Sequence, residues 1–127
     1  MRSTSLSILA AVTLLVLPLR AGADMLDVIE NTLNDGCDMA KYLAIVDDFN
    51  AYYEDRGYQT EILLPLHAER QDTVVWVGRS PSHAAFGEAY DHWESELTKE
   101  GSAVSKLSAR FQACITGVTR SSYSTAR

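Results

Sequence analysis

Histidine, cysteine and proline are all scarce in this chain, and each shortage removes some chemistry from consideration. There are three histidines, His67, His83 and His92. No two of them stand at helical ligand spacing. There is no HExxH and no compact His/Asp/Glu cluster, so the pattern of a metal centre is missing. Haem would need an axial histidine whose other ring nitrogen is held by an acceptor, and no histidine has that context. The two cysteines, Cys37 and Cys114, form no CxxC and have no histidine beside them. That argues against a thiolate metal site or a redox dithiol. There is no phosphate-cradling glycine loop and no serine framed as a nucleophile elbow. The expected cofactor set is therefore empty. Acids are missing from the whole tail after Glu100, which holds only Lys106, Arg110, Arg120 and Arg127 as charged residues. Overall the chain is acidic, with a formal charge of −6. Such a surface repels nucleic acid and anionic membranes, so no nucleic-acid partner is expected. The simplest use of the charge is solubility.

No apolar run is long enough to span a bilayer comfortably. The longest, Leu6 to Leu19, follows Arg2, is interrupted by Pro18, and ends in Ala21-Gly22-Ala23. This is the layout of a cleaved secretory signal, residues 1–23. No cysteine follows the small residues, so a lipid-anchored precursor is not indicated. The expected mature chain, residues 24–127, is one small domain in the periplasm or outside the cell, with no stable membrane anchor. Arg2 and Arg20 leave with the signal, which takes the formal charge from −6 to −8. In an oxidising compartment Cys37 and Cys114 should form a disulfide. Closing so long a loop stabilises by roughly 4 kcal/mol in the chain-entropy model.

The hydrophobic period changes several times along the mature chain. Leu26 to Leu33 is mixed and partly β-branched, and reads as a strand. Asn34-Asp35-Gly36 is turn chemistry. Asp38 can cap a helix whose apolar face is Met39, Tyr42, Leu43, Val46, Phe49 and Tyr53. Gly57 fits its stop. From Tyr58 the period is two: Tyr58, Thr60, Ile62, Leu64 and Leu66 share one face, and Gln59, Glu61, Leu63 and His67 the other. Pro65 removes a ladder donor and places this strand at an edge. Thr73 to Val77 is the most strand-like stretch. Ser80-Pro81 reads as a helix start, followed by a stripe of Phe86, Ala89, Tyr90, Trp93 and Leu97. Gly101 breaks it. Val104, Leu107 and Phe111 mark a second short helix. Cys114 to Thr119 reads as the last strand, with a frayed tail from about Ser121.

Strand, helix, strand, strand, helix, strand is the order of an α+β ferredoxin-like βαββαβ sandwich. It has an antiparallel four-stranded sheet with its helices on one face. In that topology the first and fourth strands are neighbours, which brings Cys37 and Cys114 to the same end of the sheet. Thr73–Val77 is apolar on both faces, as in a strand buried on both sides. The helices cover one face only. A second copy packed sheet to sheet is the simplest cover for the other, so a homodimer is expected.

The element order, with Val75-Trp76-Val77-Gly78-Arg79-Ser80-Pro81-Ser82 followed by Phe86-Gly87 and Tyr90, resembles the dimeric α/β-barrel group of the ferredoxin-like fold. In that group a tryptophan-bearing strand runs into a helix that opens with Ser/Asp-Pro. The resemblance covers most of residues 24–119. It implies two sheets closing a barrel around an internal pocket. Members include cofactor-free monooxygenases, haem enzymes, small-molecule decyclases and chains of no known activity. Most are cytoplasmic and lack a disulfide, so the leader and Cys37/Cys114 are departures.

His67 is the best single candidate for acid–base chemistry, because Glu69 stands two residues on and a carboxylate can orient an imidazole. The plainer alternative is a solvated loop histidine. His83 falls in a first helical turn, and His92 lies off the aromatic stripe and should be exposed. Asp47-Asp48 and Glu94/Glu96 do not face one another on a helix and read as solvated faces. Trp76 and Trp93, with Tyr42, Tyr53, Tyr58 and Tyr90, could line a pocket that takes a flat apolar molecule, Trp76, Tyr90 and Trp93 being the chosen candidates, although aromatics at these spacings more commonly form core. The expected function is a small exported homodimer that holds a small apolar ligand or stabilises another protein. The alternative is a cofactor-free or oxygen-using enzyme acting on a small aromatic or carbonyl compound, with His67 and Glu69 as its acid–base group.

Overall fold

A computed structural model describes residues 24–126. The secretory leader expected at residues 1–23 lies outside the described residues. The elements are β1 (Met25–Leu33), α1 (Met39–Tyr53), β2 (Gln59–Leu63), β3 (Val74–Ser80), α2 (His83–Leu97), α3 (Ala103–Cys114) and β4 (Ile115–Ser124). The strands form one antiparallel sheet in the order β2-β3-β1-β4. This is the ferredoxin-like arrangement.

Local chemistry sets the element ends. Asp38 Oδ1 accepts from the Lys41 amide at 2.8 Å and caps α1. Gly57 adopts a φ of +70° just past that helix, where a side chain would be strained. The cap of α2 is Ser82, which accepts from the Ala85 amide, and not Ser80. Ser80 instead closes β3, paired with Met25. The pairing carries β3 three residues beyond Val77, so the helix starts later than Ser80-Pro81 suggested. β2 stops at Leu63, short of the alternating pattern that ran on to His67. Pro65 lacks the ladder donor that would prolong the strand. β2 lies at the sheet's edge. Its free side is held by Asn50 of α1, whose amide exchanges two 2.8 Å hydrogen bonds with the Thr60 backbone.

The tail from Ser121 is not frayed. Val28, Asp27, Leu26 and Met25 pair in turn with Ser121, Ser122, Tyr123 and Ser124. Thr125 and Asp24 then close the ladder with bonds of 3.0 and 2.9 Å. Serine and threonine give this strand no apolar alternation, and the long edge of β1 supplies its order. A bulge at Glu30/Asn31 shifts the register along the β1–β4 pair. Cys114 ends α3 rather than opening β4, and it forms the disulfide with Cys37 across a Cα separation of 5.0 Å.

The register sorts the side chains between two faces. Met25, Asp27, Ile29 and Asn31 of β1 sit opposite Ser80, Gly78, Trp76 and Val74 of β3. This face carries the helices, and its core includes Tyr42, Val46, Phe49, Tyr53, Ala89 and Leu107. The other face presents Leu26, Val28, Val75 and Val77, with Leu63 and Tyr123 toward its edges.

Candidate ligand cavity between sheet and helices

The helix-side face of the sheet is not completely filled. A cavity of about 230 Å³ lies between the strands and the helices. Phe49 forms its centre. Its ring stacks on Tyr53 at 4.6 Å and meets Trp76 edge-on at 4.9 Å and Phe111 at 6.1 Å. Trp93 stands 5.8 Å from Phe49. The helical spacing of Phe86, Tyr90 and Trp93 on α2 turns all three toward the same space. Tyr90, Glu94 and Arg120 are exposed and form the rim.

A polar relay crosses this aromatic shell. Trp76 Nε1–H donates to Tyr58 Oη at 2.8 Å. Tyr58 O–H donates to Asp27 Oδ2 at 3.0 Å. Arg120 then clamps the same carboxylate: Nε reaches Oδ1 at 2.9 Å and Nη2 reaches Oδ2 at 2.8 Å. Asp27 is only 1 % exposed. A buried carboxylate is tolerated when it is paired and hydrogen-bonded, and here it accepts from three donors. The bidentate fork is the strong form of this contact.

Gly78 makes the relay possible. It faces Asp27 across the β1–β3 pair. A Cβ at this position would lie 1.8 Å from Tyr58 Oη and 2.2 Å from Cζ. The phenol therefore occupies the space that any other residue would fill. Burial, and next the Asp27 charge, push the Tyr58 hydroxyl far above the usual tyrosine range. Tyr58 is thus a hydrogen-bond donor and not a base. The hydrogen bond to Asp27 raises Arg120 above its ordinary value, so it stays charged. Its guanidinium carbon also stands 5.5 Å from the Tyr90 ring centroid.

Of the residues singled out in the sequence, Trp76, Tyr90 and Trp93 all line the cavity. Trp76 is on the helix side of the sheet. His67 and Glu69 do not line it. Both are exposed in the connection between β2 and β3. His92 is half-buried and not exposed, because α1 packs over it: its Nε2 and Tyr52 Oη form a 2.8 Å hydrogen bond. Tyr53 and Tyr58, named with the tryptophans as possible wall aromatics, line the cavity too, but Tyr42 does not. Asp27, Gly78 and Arg120, which complete the relay with Tyr58, were not singled out as site residues. With Tyr58 they come from four stretches of sequence that only the topology unites. The one local signal was a charged residue, Asp27, on the same strand face as Met25 and Ile29.

No family model and no curated protein matches this sequence. Solved structures do match by fold. SnoaB, a cofactor-independent oxygenase from Streptomyces nogalater, superposes with a TM-score of 0.57 at 17 % identity, over 84 % of this chain and 95 % of that one. A dimeric ferredoxin-like protein of unknown function from Thermobifida fusca gives 0.51 at 13 % identity, over 84 % and 93 %. The fold they share with this chain is ferredoxin-like. Likeness at these identities defines architecture and leaves chemistry to the site itself.

Proposed function

We propose that this protein is an exported homodimer that binds a small flat aromatic molecule in the cavity between sheet and helices. The observation that carries the reading is the aromatic shell around the Asp27–Tyr58–Arg120 relay. Apolar walls with a few fixed polar groups are the usual make-up of a small-molecule site. A volume of about 230 Å³ suits a ligand of one or two fused rings.

Export is supported by the leader-like residues 1–23 and by the Cys37–Cys114 disulfide. The homodimer is supported by the helix-free face of the sheet, where Leu26, Val28, Val75 and Val77 form an apolar centre. The T. fusca neighbour is described as dimeric.

The SnoaB likeness raises a second reading, an oxygenase that needs no cofactor. Such chemistry calls for a group that removes a proton from the substrate. In this cavity Asp27 is already held by three donors, Tyr58 keeps its proton, and the remaining carboxylate, Glu94, stands out at the exposed rim. His67 and Glu69 lie off the cavity. Binding is therefore favoured over catalysis.

Both tryptophans line the cavity, so intrinsic fluorescence reports on it directly. Titration of the mature protein with 2-acetonaphthone should change the emission and saturate at one site per chain, in parallel with calorimetric heat. Oxygen uptake measured with the same probe should stay at baseline. No saturable binding by either method defeats the binding reading, and probe-dependent oxygen uptake would move the assignment to the oxygenase.

A further inference from the structure

The donors and acceptors of the cavity are unequally spent. Trp76 uses its single N–H on Tyr58, and Tyr58 uses its O–H on Asp27. Asp27 receives three hydrogen bonds, which takes up most of its acceptor capacity. Arg120 differs. A guanidinium has five N–H donors, and the clamp on Asp27 uses one on Nε and one on Nη2. The others meet no acceptor among the described residues. The Arg120 side chain remains 47 % exposed at the rim, beside the Tyr90 ring. Asn31, buried on the same wall, reaches Ile29 O with its amide at a long 3.5 Å and also acts on the Tyr42 hydroxyl. The acceptors left open are the Glu94 carboxylate, out at the exposed rim, and the Asn31 carbonyl; beside the Asp27 relay the strongest unspent group is the charged donor Arg120.

Resting on the binding reading above, we propose that the ligand is a planar aromatic bearing an oxygen acceptor, a carbonyl or a carboxylate, that Arg120 recognises. The ring lies among Phe49, Trp76 and Trp93, and the oxygen meets the outward edge of the guanidinium. Asp27 fixes that edge before the ligand arrives, so little side-chain entropy is lost on binding. Arg120 is then the specificity-determining residue, and Asp27 is a positioning residue that acts through it. A purely apolar molecule would strip water from these donors without replacing it, which works against its binding.

Four naphthalene probes test this by calorimetry on the mature protein: naphthalene, 2-acetonaphthone, 2-naphthoate and 2-naphthylmethylammonium. The two oxygen-bearing probes should bind at least about tenfold tighter than naphthalene, the gain of one charge-assisted hydrogen bond. Arg120→Gln should bring them to the level of naphthalene and leave naphthalene within about twofold. Asp27→Asn/Arg120→Gln, which buries no unpaired charge, serves in its place if the single variant fails to fold. Equal binding of naphthalene and the oxygen probes overturns the inference and leaves the cavity reading intact. Tightest binding of the ammonium probe overturns it in favour of a carboxylate, Glu94 at the rim or Asp27, as the recognising group. If none of the four binds, the cavity reading itself fails.

Discussion

Gly78→Ala should be among the most damaging single-methyl changes in this protein. On an ordinary strand, alanine in place of glycine stabilises by about 0.5–1 kcal/mol, because glycine loses more backbone freedom on folding. Here the new methyl would fall 1.8 Å from the Tyr58 oxygen. The strand cannot move away, since it pairs on both sides, and small shifts of the ring are blocked by Phe49 and Phe86. The phenol must swing out. That breaks the Tyr58–Asp27 bond, with a charged acceptor, at about 1.5–3 kcal/mol, and the Trp76–Tyr58 bond, at about 1 kcal/mol. Strain in the repacked core adds about 1–3 kcal/mol. The expected total is about 4 kcal/mol, a large share of the 5–15 kcal/mol typical of a whole domain. Urea denaturation followed by tryptophan emission would measure it. The decisive comparison is a cycle with Tyr58→Ala, which removes the clashing ring. In that background Gly78→Ala should cost at least about 2 kcal/mol less, because two neighbours sharing one space are not additive. Equal cost in both backgrounds would refute the steric argument, and a neutral Gly78→Ala would remove its premise.

Four further outcomes follow from the same contacts. Replacing both Cys37 and Cys114 by serine should cost about 4.5 kcal/mol for a span of 77 residues in the loop-entropy model; an unchanged denaturation midpoint would count against the cross-link. Burial pushes Tyr42 and Tyr53 up to about 12, the nearby Asn31 amide partly opposing this at Tyr42, and it raises Tyr58 further. Tyrosines in the unfolded chain ionise near 10, so the stability these groups contribute is complete below about pH 10 and is lost as pH rises toward 12. Phenolate absorbance should show these three of the six tyrosines titrating only with unfolding, and a smooth six-site titration of folded protein would contradict that. Val28→Lys, at the centre of the helix-free face, should halve the mass seen by sedimentation at micromolar concentration; a monomeric starting protein would end the dimer reading. His67→Ala should leave both the denaturation midpoint and 2-acetonaphthone affinity unchanged, and a loss of either would return the β2–β3 connection to consideration as a site.

The parts of this fold written in hydrophobic period were legible. α1 is recoverable from Tyr42, Val46, Phe49 and Tyr53, and all four are buried. Pro65 correctly marked β2 as an edge strand, and Trp76, Tyr90 and Trp93 were singled out because large aromatics recur at helical spacing beside an apolar strand. β4 was harder to see. Its second half is arginine, serine and tyrosine, and its order comes from a partner 93 residues away in sequence at the Asp27–Arg120 clamp. The relay was hidden for the same reason. Asp27, Tyr58 and Arg120 each look unremarkable among their neighbours, and only the β2-β3-β1-β4 order brings them into contact. His67 drew notice because Glu69 stands two residues on, but nearness in sequence did not bring either residue to the cavity.

The placement of Arg120 on β4 has a consequence for how the protein withstands proteolysis. β4 is the last strand among the described residues and an exposed edge, tied along one side only. A protease trimming the chain back past residue 120 would spare every helix, the other three strands and the disulfide. It would still remove the one side chain that neutralises Asp27 and marks the cavity rim. Recognition would then be lost before the body of the domain came apart. Conversely, a ligand resting on Arg120 would hold the last strand down and slow its digestion. Occupancy and lifetime would be coupled through a single edge, so that the filled protein outlasts the empty one.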